Sequence, residues 1–206
     1  MITNSVAIRN RRSALALTNE QEQLIIGTLL GDGSLIVNSW GKHYRLQIEH
    51  QVAHKEYVQW KYRKLCDWVL TSPKLLERTQ SVKFRTMSHP DLTALHNLFY
   101  PEGRKMVPNT ITKLLRTPIA LATWFMDDGA YRSLNTFTIS THCFVQRSEQ
   151  YQLIQCLGEN FGLQATLHYD GKGHRLYIPS ESGKKFKDII RPYLVSCMRY
   201  KIGMTP

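Results

Sequence analysis

Two stretches of the chain are apolar on every side over a helical length. The first reads Leu24-Ile25-Ile26-Gly27-Thr28-Leu29-Leu30-Gly31, the second Ile119-Ala120-Leu121-Ala122-Thr123-Trp124-Phe125-Met126. A helix with no polar face has to be buried, so the pattern predicts two buried helices, over residues 19–31 and 118–127. Thr18 and Gln21 form a capping box for the first. Thr117 stands at the N-cap of the second, with Pro118 at its first helical position. Both stretches run into an Asp-Gly pair, Asp32-Gly33 and Asp128-Gly129, with Gly33 read as a C′ glycine.

Elsewhere the pattern alternates with a period of two or carries an amphipathic helical stripe. It predicts strands over 34–38 and 44–50, a helix over 54–69, a strand over 81–86 and a helix over 90–99. After the second apolar helix come strands near 130–133 and 135–141, a helix over 147–161, strands over 164–169 and 174–178, and a helix over 181–194. Both halves are read as helix, strand, strand, helix, strand, strand, helix, with only one strand of the second pair located in the first half, an α+β fold built from a repeat. The division is a basic, flexible N-terminal extension (1–18), a first repeat (19–113) and a second repeat (114–206). Asp32 and Asp128 are 96 positions apart (128 − 32), and so are Lys105 and Lys201 (201 − 105).

An acid at the C-terminal end of a helix opposes the helix dipole, at a cost of about 0.3–1 kcal/mol. Both apolar helices accept that cost at the same place, and the second carries Asp127 as well as Asp128. Crowded carboxylates beside free carbonyl groups suit a hard divalent cation, Mg²⁺ or Mn²⁺. Gly27 and Gly31, four apart, let a second backbone approach, with Ala122 and Thr123 as the small residues opposite. Packing of the two helices would then bring Asp32 and Asp128 together. The alternative is that each Asp-Gly is an ordinary turn and each helix is buried in its own half.

The 206 residues carry 27 Lys and Arg against 16 Asp and Glu, a formal charge of +11. That balance favours a polyanionic partner, nucleic acid or an anionic membrane surface. No apolar run approaches bilayer length, so a membrane is not expected. Arg9, Arg11 and Arg12, with no acid before Glu20, suit a flexible tail lying along phosphates or an organelle transit peptide. Cys66, Cys143, Cys156 and Cys197 are scattered, with no C-x-x-C pair, which indicates neither a zinc site nor a disulfide framework. A reducing compartment fits, an organelle or a prokaryotic cytoplasm. His50 and His54, four apart but with no third ligand, read as surface histidines.

The segments Ile25 to Gly33 and Leu121 to Gly129 resemble the two motifs of LAGLIDADG homing endonucleases of the single-chain, two-repeat type. Val107-Pro108-Asn109 and Arg191-Pro192-Tyr193-Leu194, followed by Tyr200-Lys201, resemble blocks found in the same group. The resemblance implies two αββαββα units whose motif helices form the interface and whose antiparallel sheets make a saddle over the DNA major groove. It implies that Asp32 and Asp128 bind divalent metal, with backbone carbonyls added by Gly31 and Asp127, and that Lys105 and Lys201 lie in the active-site pocket. The implied activity is a metal-dependent double-strand break in a long DNA target by a monomer, mobilising a host intron. An intron maturase, with intron RNA as its partner, is the alternative; a silent DNA-binding regulator is a second. Thr123 replaces the motif's small glycine, and Leu30 and Met126 stand at its first acidic position.

Base reading is expected from polar strand faces. Arg45, Gln47 and Glu49 alternate with Leu46 and Ile48, and Lys83 and Arg85 with Val82 and Phe84. Thr136, Thr138 and Ser140 alternate with Phe137 and Ile139, and Arg175 and Tyr177 with Leu176 and Ile178. Lys42, His43, Lys172 and His174 sit in loops that could reach flanking DNA.

Overall fold

The strands of each half pair in the same order. The computed structural model describes residues 5–38, 41 and 43–204. Helix α1 (Val6–Ser13) is followed by α2 (Asn19–Leu30), β1 (Ser34–Val37), β2 (Tyr44–Gln51), α3 (Lys55–Lys64), β3 (Lys74–Leu76), β4 (Ser81–Arg85) and α4 (Pro90–Phe99). A one-turn helix, α5 (Ile111–Leu114), leads into α6 (Pro118–Asp128), β5 (Gly129–Tyr131), β6 (Phe137–Ser140), α7 (Arg147–Phe161), β7 (Thr166–Tyr169), β8 (His174–Ile178) and α8 (Ser180–Ile190). A 3-10 segment, Ser196–Ile202, follows. The two antiparallel sheets run β1-β2-β4-β3 and β5-β6-β8-β7, the α+β architecture expected.

The two all-apolar helices, α2 and α6, pack along each other in the middle of the molecule. Residues Leu24 to Leu30 and Ile119 to Met126 are buried along their whole length. Gly27 sets the spacing: a Cβ there would lie 2.2 Å from the Ala120 carbonyl oxygen and 3.0 Å from Thr123 Cβ. The residues opposite are therefore Ala120 and Thr123, not Ala122 and Thr123. Thr123 hides its hydroxyl by donating to the Ile119 carbonyl at 2.7 Å. Each sheet turns one apolar row to the core, Leu46, Ile48, Val82 and Phe84 in one half and Phe137, Ile139, Leu176 and Ile178 in the other. A fully buried side chain of this size contributes about 1.5–3 kcal/mol, so these rows fix which sheet face stays free.

The capping box at Thr18 and Gln21 is present, with both reciprocal bonds at 3.2 Å. Other expectations are corrected. Thr117 is the N-cap residue of α6 as expected, but its side chain makes no capping bond; Gln23 of α2 holds the entry to the helix from the other half. Gln23 Oε1 accepts from the Arg116 and Thr117 N–H groups at 2.9 and 3.1 Å, and its amide donates to the Leu114 carbonyl at 2.7 Å. Gly33 does not adopt a left-handed conformation; it is small because a Cβ would lie 2.3 Å from Thr28 Cγ2. The helix expected over 54–69 stops at Lys64 and continues as a 3-10 turn, Cys66–Trp68. The one expected over 181–194 ends at Ile190, close before Pro192, whose ring has no N–H to continue it.

Within the N-terminal stretch read as flexible, Val6–Ser13 is helical, and Arg11 donates to the carbonyls of Cys66 and Asp67 at 3.4 and 2.9 Å. α5 packs on α7 of the second half, held by Asn160, whose amide reaches the Thr112 and Leu115 carbonyls, both at 2.7 Å. All four cysteines are free. No helix among the described residues is long and apolar enough to cross a membrane.

Candidate active site

Because α2 and α6 are in contact along their lengths, their C-terminal ends meet. Gly31 and Asp127 face each other there: a Cβ on Gly31 would fall 2.4 Å from Asp127 Cβ. The seam has room for one side chain at this level, which explains why the two motifs differ at this position. Asp127 uses that room. Its carboxylate is fully buried, lies 3.0 Å (Oδ1) and 3.2 Å (Oδ2) from Lys61 Nζ, and accepts the Asp32 N–H at 3.2 Å. The Asp32 side chain is half exposed.

His50, at the end of the apolar row of β2, stands between the two acids. Its Nδ1 is 3.6 Å from Asp32 Oδ2 and its Nε2 is 3.6 Å from Asp127 Oδ1. Ligand atoms of Asp32, His50 and Asp127 all lie within 4.8 Å of one another. Burial and the Lys61 charge pull the His50 pKa down to about 4, so the ring is neutral near pH 7. The expectation of a surface histidine is corrected: β2's alternation Leu46, Ile48, His50 turns this ring inward.

The carboxylates at the tips are held under electrostatic pressure. Burial, and then the charges of Asp32 and Asp127, push Asp128 up to about 7. Asp32 is also raised, by burial first and by Asp127 second. The charges of Lys61, Lys105 and Lys201 act in the opposite direction at Asp32, and those of Lys105 and Lys201 at Asp128.

Lys105 and Lys201 occupy matching places. Lys105 Nζ donates to the Gly31 carbonyl and, at 3.1 Å, to that of Gly33. Lys201 Nζ donates to the carbonyls of Met126 and Asp127 at 2.6 and 2.9 Å. A cation at a helix C-terminus satisfies carbonyls that lack helical partners and complements the dipole. The Gly31 and Asp127 carbonyls, expected to face a metal, are engaged by these ammonium groups. Burial lowers the pKa of both lysines, against the pull of the acids.

The polar strand faces are placed as expected, with one exception. Gln47 pairs with Arg85 and Glu49 with Lys83 in the β2–β4 register. Arg85 Nε donates to Gln47 Oε1 at 2.9 Å, and Glu49 is held by Ser81 at 2.6 Å and Lys83 at 2.9 Å. Arg45 is on the same face. In the second sheet Ser140 pairs with Arg175 and Thr138 with Tyr177, and Thr136 lies just before β6. Arg175 is paired with Asp170, and Tyr177 stacks on His168 at 4.5 Å. Thr138 is the exception: it is buried, its hydroxyl accepting from Arg132 Nε at 3.1 Å. Arg132 therefore joins this face, and the step of two from Ala130 along β5 could have found it. Of the four loop residues, Lys42 lies outside the described residues. His43 is near Thr93, with Nδ1 3.3 Å from its hydroxyl, and Lys172 and His174 flank the β7–β8 turn.

Two antiparallel sheets of the same strand order flank a shared pair of buried helices whose C-terminal ends carry matched acid and lysine residues. The profile of the LAGLIDADG DNA endonuclease family matches residues 22–186, and the chain belongs to this family. It is 34% identical over 213 aligned positions to the DNA endonuclease I-ChuI of Chlamydomonas applanata, covering 92% of this chain and 97% of that protein. It is 29% identical to the cytochrome b mRNA maturase bI2 of Debaryomyces hansenii, covering 91% and 75%. Its fold matches the homing endonuclease I-WcaI bound to its DNA recognition sequence, with a TM-score of 0.88 at 24% identity, over 100% of this chain and 96% of that one.

Proposed function

We propose that this protein is a site-specific homing endonuclease that hydrolyses both strands of a long DNA target. Asp32 and Asp128 would hold Mg²⁺ or Mn²⁺, and Lys105 and Lys201 would be placed by their carbonyl bonds beside the scissile phosphates. The observation that carries the reading is the meeting of the two helix ends, where Gly31 packs on Asp127 and the Asp127 carboxylate accepts the Asp32 N–H, so that the acids of both helices gather at one junction; there burial and the charges of Asp32 and Asp127 push Asp128 up to about 7. Carboxylates gathered at one helix junction repel one another, and a cation relieves that repulsion. Asp127 already has its counter-charge in Lys61, which favours Asp32 and Asp128 as the cation-holding pair. A bound divalent cation supplies an acidified water and neutralises charge on the phosphate. The chain's own residues orient the phosphates, through the lysines, and read bases with Arg45, Gln47, Glu49, Lys83, Arg85, Thr136, Ser140, Arg175 and Tyr177; Thr138 would support Arg132. Both acids come from one chain, so the active unit is a monomer. The chain divides into repeats at about residue 113, after the basic extension 1–18.

The maturase relative supports a second reading, in which intron RNA binds the same basic face. The test is incubation of the protein with Mg²⁺ and a randomised duplex library, followed by sequencing of cut ends. One long, mildly degenerate site supports the endonuclease. Absence of metal-dependent cutting, with tight binding of intron RNA, supports the maturase instead.

A further inference from the structure

We infer that Lys61 is a positioning residue for the Asp32 side of the site, and that the two DNA strands therefore depend on it unequally. The inference rests on the endonuclease reading above. Lys61 is fully buried at the middle of α3, a position where a lysine is expected only if its charge is paired. Its partner is the Asp127 carboxylate, at 3.0 and 3.2 Å, and that carboxylate accepts the Asp32 N–H at 3.2 Å. His50 lies against the same two acids, 3.6 Å from each. Lys61 thus fixes Asp127, and Asp127 fixes the backbone from which the Asp32 carboxylate projects. Tyr57, one turn earlier on α3, ties that helix to the seam by donating to the Thr123 carbonyl at 3.1 Å.

The second half lacks the equivalents. The position matching Asp127 in the first motif is Gly31, which has no carboxylate to hold the Asp128 amide, and a Cβ there would collide with Asp127. In the sheet register Gly33 precedes β1 as Gly129 opens β5, which makes Thr141 the counterpart of His50. The Thr141 hydroxyl donates to the His174 carbonyl at 2.8 Å. The pseudo-symmetry of the acids and lysines is broken by a buried Lys61–Asp127 pair that serves one side.

Removing one member of a buried ion pair leaves the other unpaired and destabilises the fold, so Lys61→Met is tested beside Lys61→Met/Asp127→Asn, which removes both charges, and Lys61→Arg, which keeps the cation. A duplex carrying a site recovered from the library is labelled on each strand in turn, and the two nicking rates are measured separately. For the double variant, folded and bound to the duplex, we expect one strand to be nicked within about threefold of the wild-type rate and the other ~10–100-fold slower, the range for loss of a residue supporting a metal ligand. Nicked circles should accumulate from a plasmid substrate. Lys61→Arg should restore part of the slow strand. Mn²⁺ affinity, read by the electron paramagnetic resonance of the free ion, should fall ~10-fold or more. Equal slowing of both strands in proportion to the folded fraction, or no slowing of either, overturns the inference. If the wild type cuts no site, the endonuclease reading fails by itself, and unchanged Mn²⁺ affinity in the double variant would then overturn the positioning role.

Discussion

Gln23 and Thr117, 94 residues apart, are joined at the start of the second motif helix: the Gln23 side-chain oxygen accepts the Thr117 N–H at 3.1 Å and its hydroxyl at 3.2 Å. The first repeat therefore anchors the N-cap residue of the second motif helix, whose own side chain makes no capping bond. Gln23→Leu keeps the size and removes the acceptor, leaving the Arg116 and Thr117 amides without it. The expected loss is about 1–3 kcal/mol, read as a lower midpoint in urea unfolding with an unchanged slope. A midpoint equal to wild type would show that water replaces the cap at no cost.

Asp32→Asn and Asp128→Asn should each leave DNA affinity within a few-fold of wild type while slowing metal-dependent cutting by at least ~100-fold, as expected for loss of a charged ligand. Gel shift in Ca²⁺ and cleavage in Mg²⁺ separate the two effects. Retained cutting in either variant removes that acid from the site.

Asp128 also makes the protein's stability depend on pH. A carboxyl group raised to about 7 in the folded state binds a proton more tightly there than in the unfolded chain, whose Asp titrates near 3.9. The folded form thus holds more protons between those values, and its stability falls as pH rises towards 7. Without metal, Asp128→Asn should be more stable than wild type at pH 8 by about 1 kcal/mol or more, a few degrees in Tm, with the gain shrinking towards pH 5. Divalent metal should stabilise the wild type and do less for the variant. A variant less stable than wild type at pH 8 would show that Asp128 is not under strain.

Lys105→Met and Lys201→Met remove the ammonium from the Gly31 and Gly33 carbonyls and from the Met126 and Asp127 carbonyls respectively. Each should slow cleavage by about 10²-fold through lost stabilisation of phosphate charge. Each should also cost stability, because carbonyls at a helix end lose a cationic partner. Single-turnover cleavage beside thermal melts distinguishes the two losses.

The seam was legible because residues 24–30 and 119–126 have no polar face to leave in water, and two such helices of similar length bury each other best. Equal spacing marked the paired acids and lysines, but the place of the lysines in the site came from the resemblance to LAGLIDADG endonucleases. Lys61 was not legible: a lysine on an amphipathic helix reads as exposed, and what makes its burial tolerable is Asp127, 66 residues further on. His50 had a readable signal, its place two beyond Ile48 in an alternating strand, outweighed by the rule that paired histidines without a third ligand sit on the surface. β3 was hidden because Lys74-Leu75-Leu76 is too short to alternate. Gln23 looked like the last polar residue before an apolar run, and its role depends on a loop of the other repeat.

The most direct measurement is the anomalous scattering of Mn²⁺ in crystals of the protein with its cut or uncut duplex. A peak is expected between the helix tips, about 2.0–2.3 Å from a carboxylate oxygen of Asp32 and of Asp128 and next to a DNA phosphate. A peak held by Asp127 and His50 with Lys61 displaced, or no peak at the seam while the DNA is cut, would contradict it.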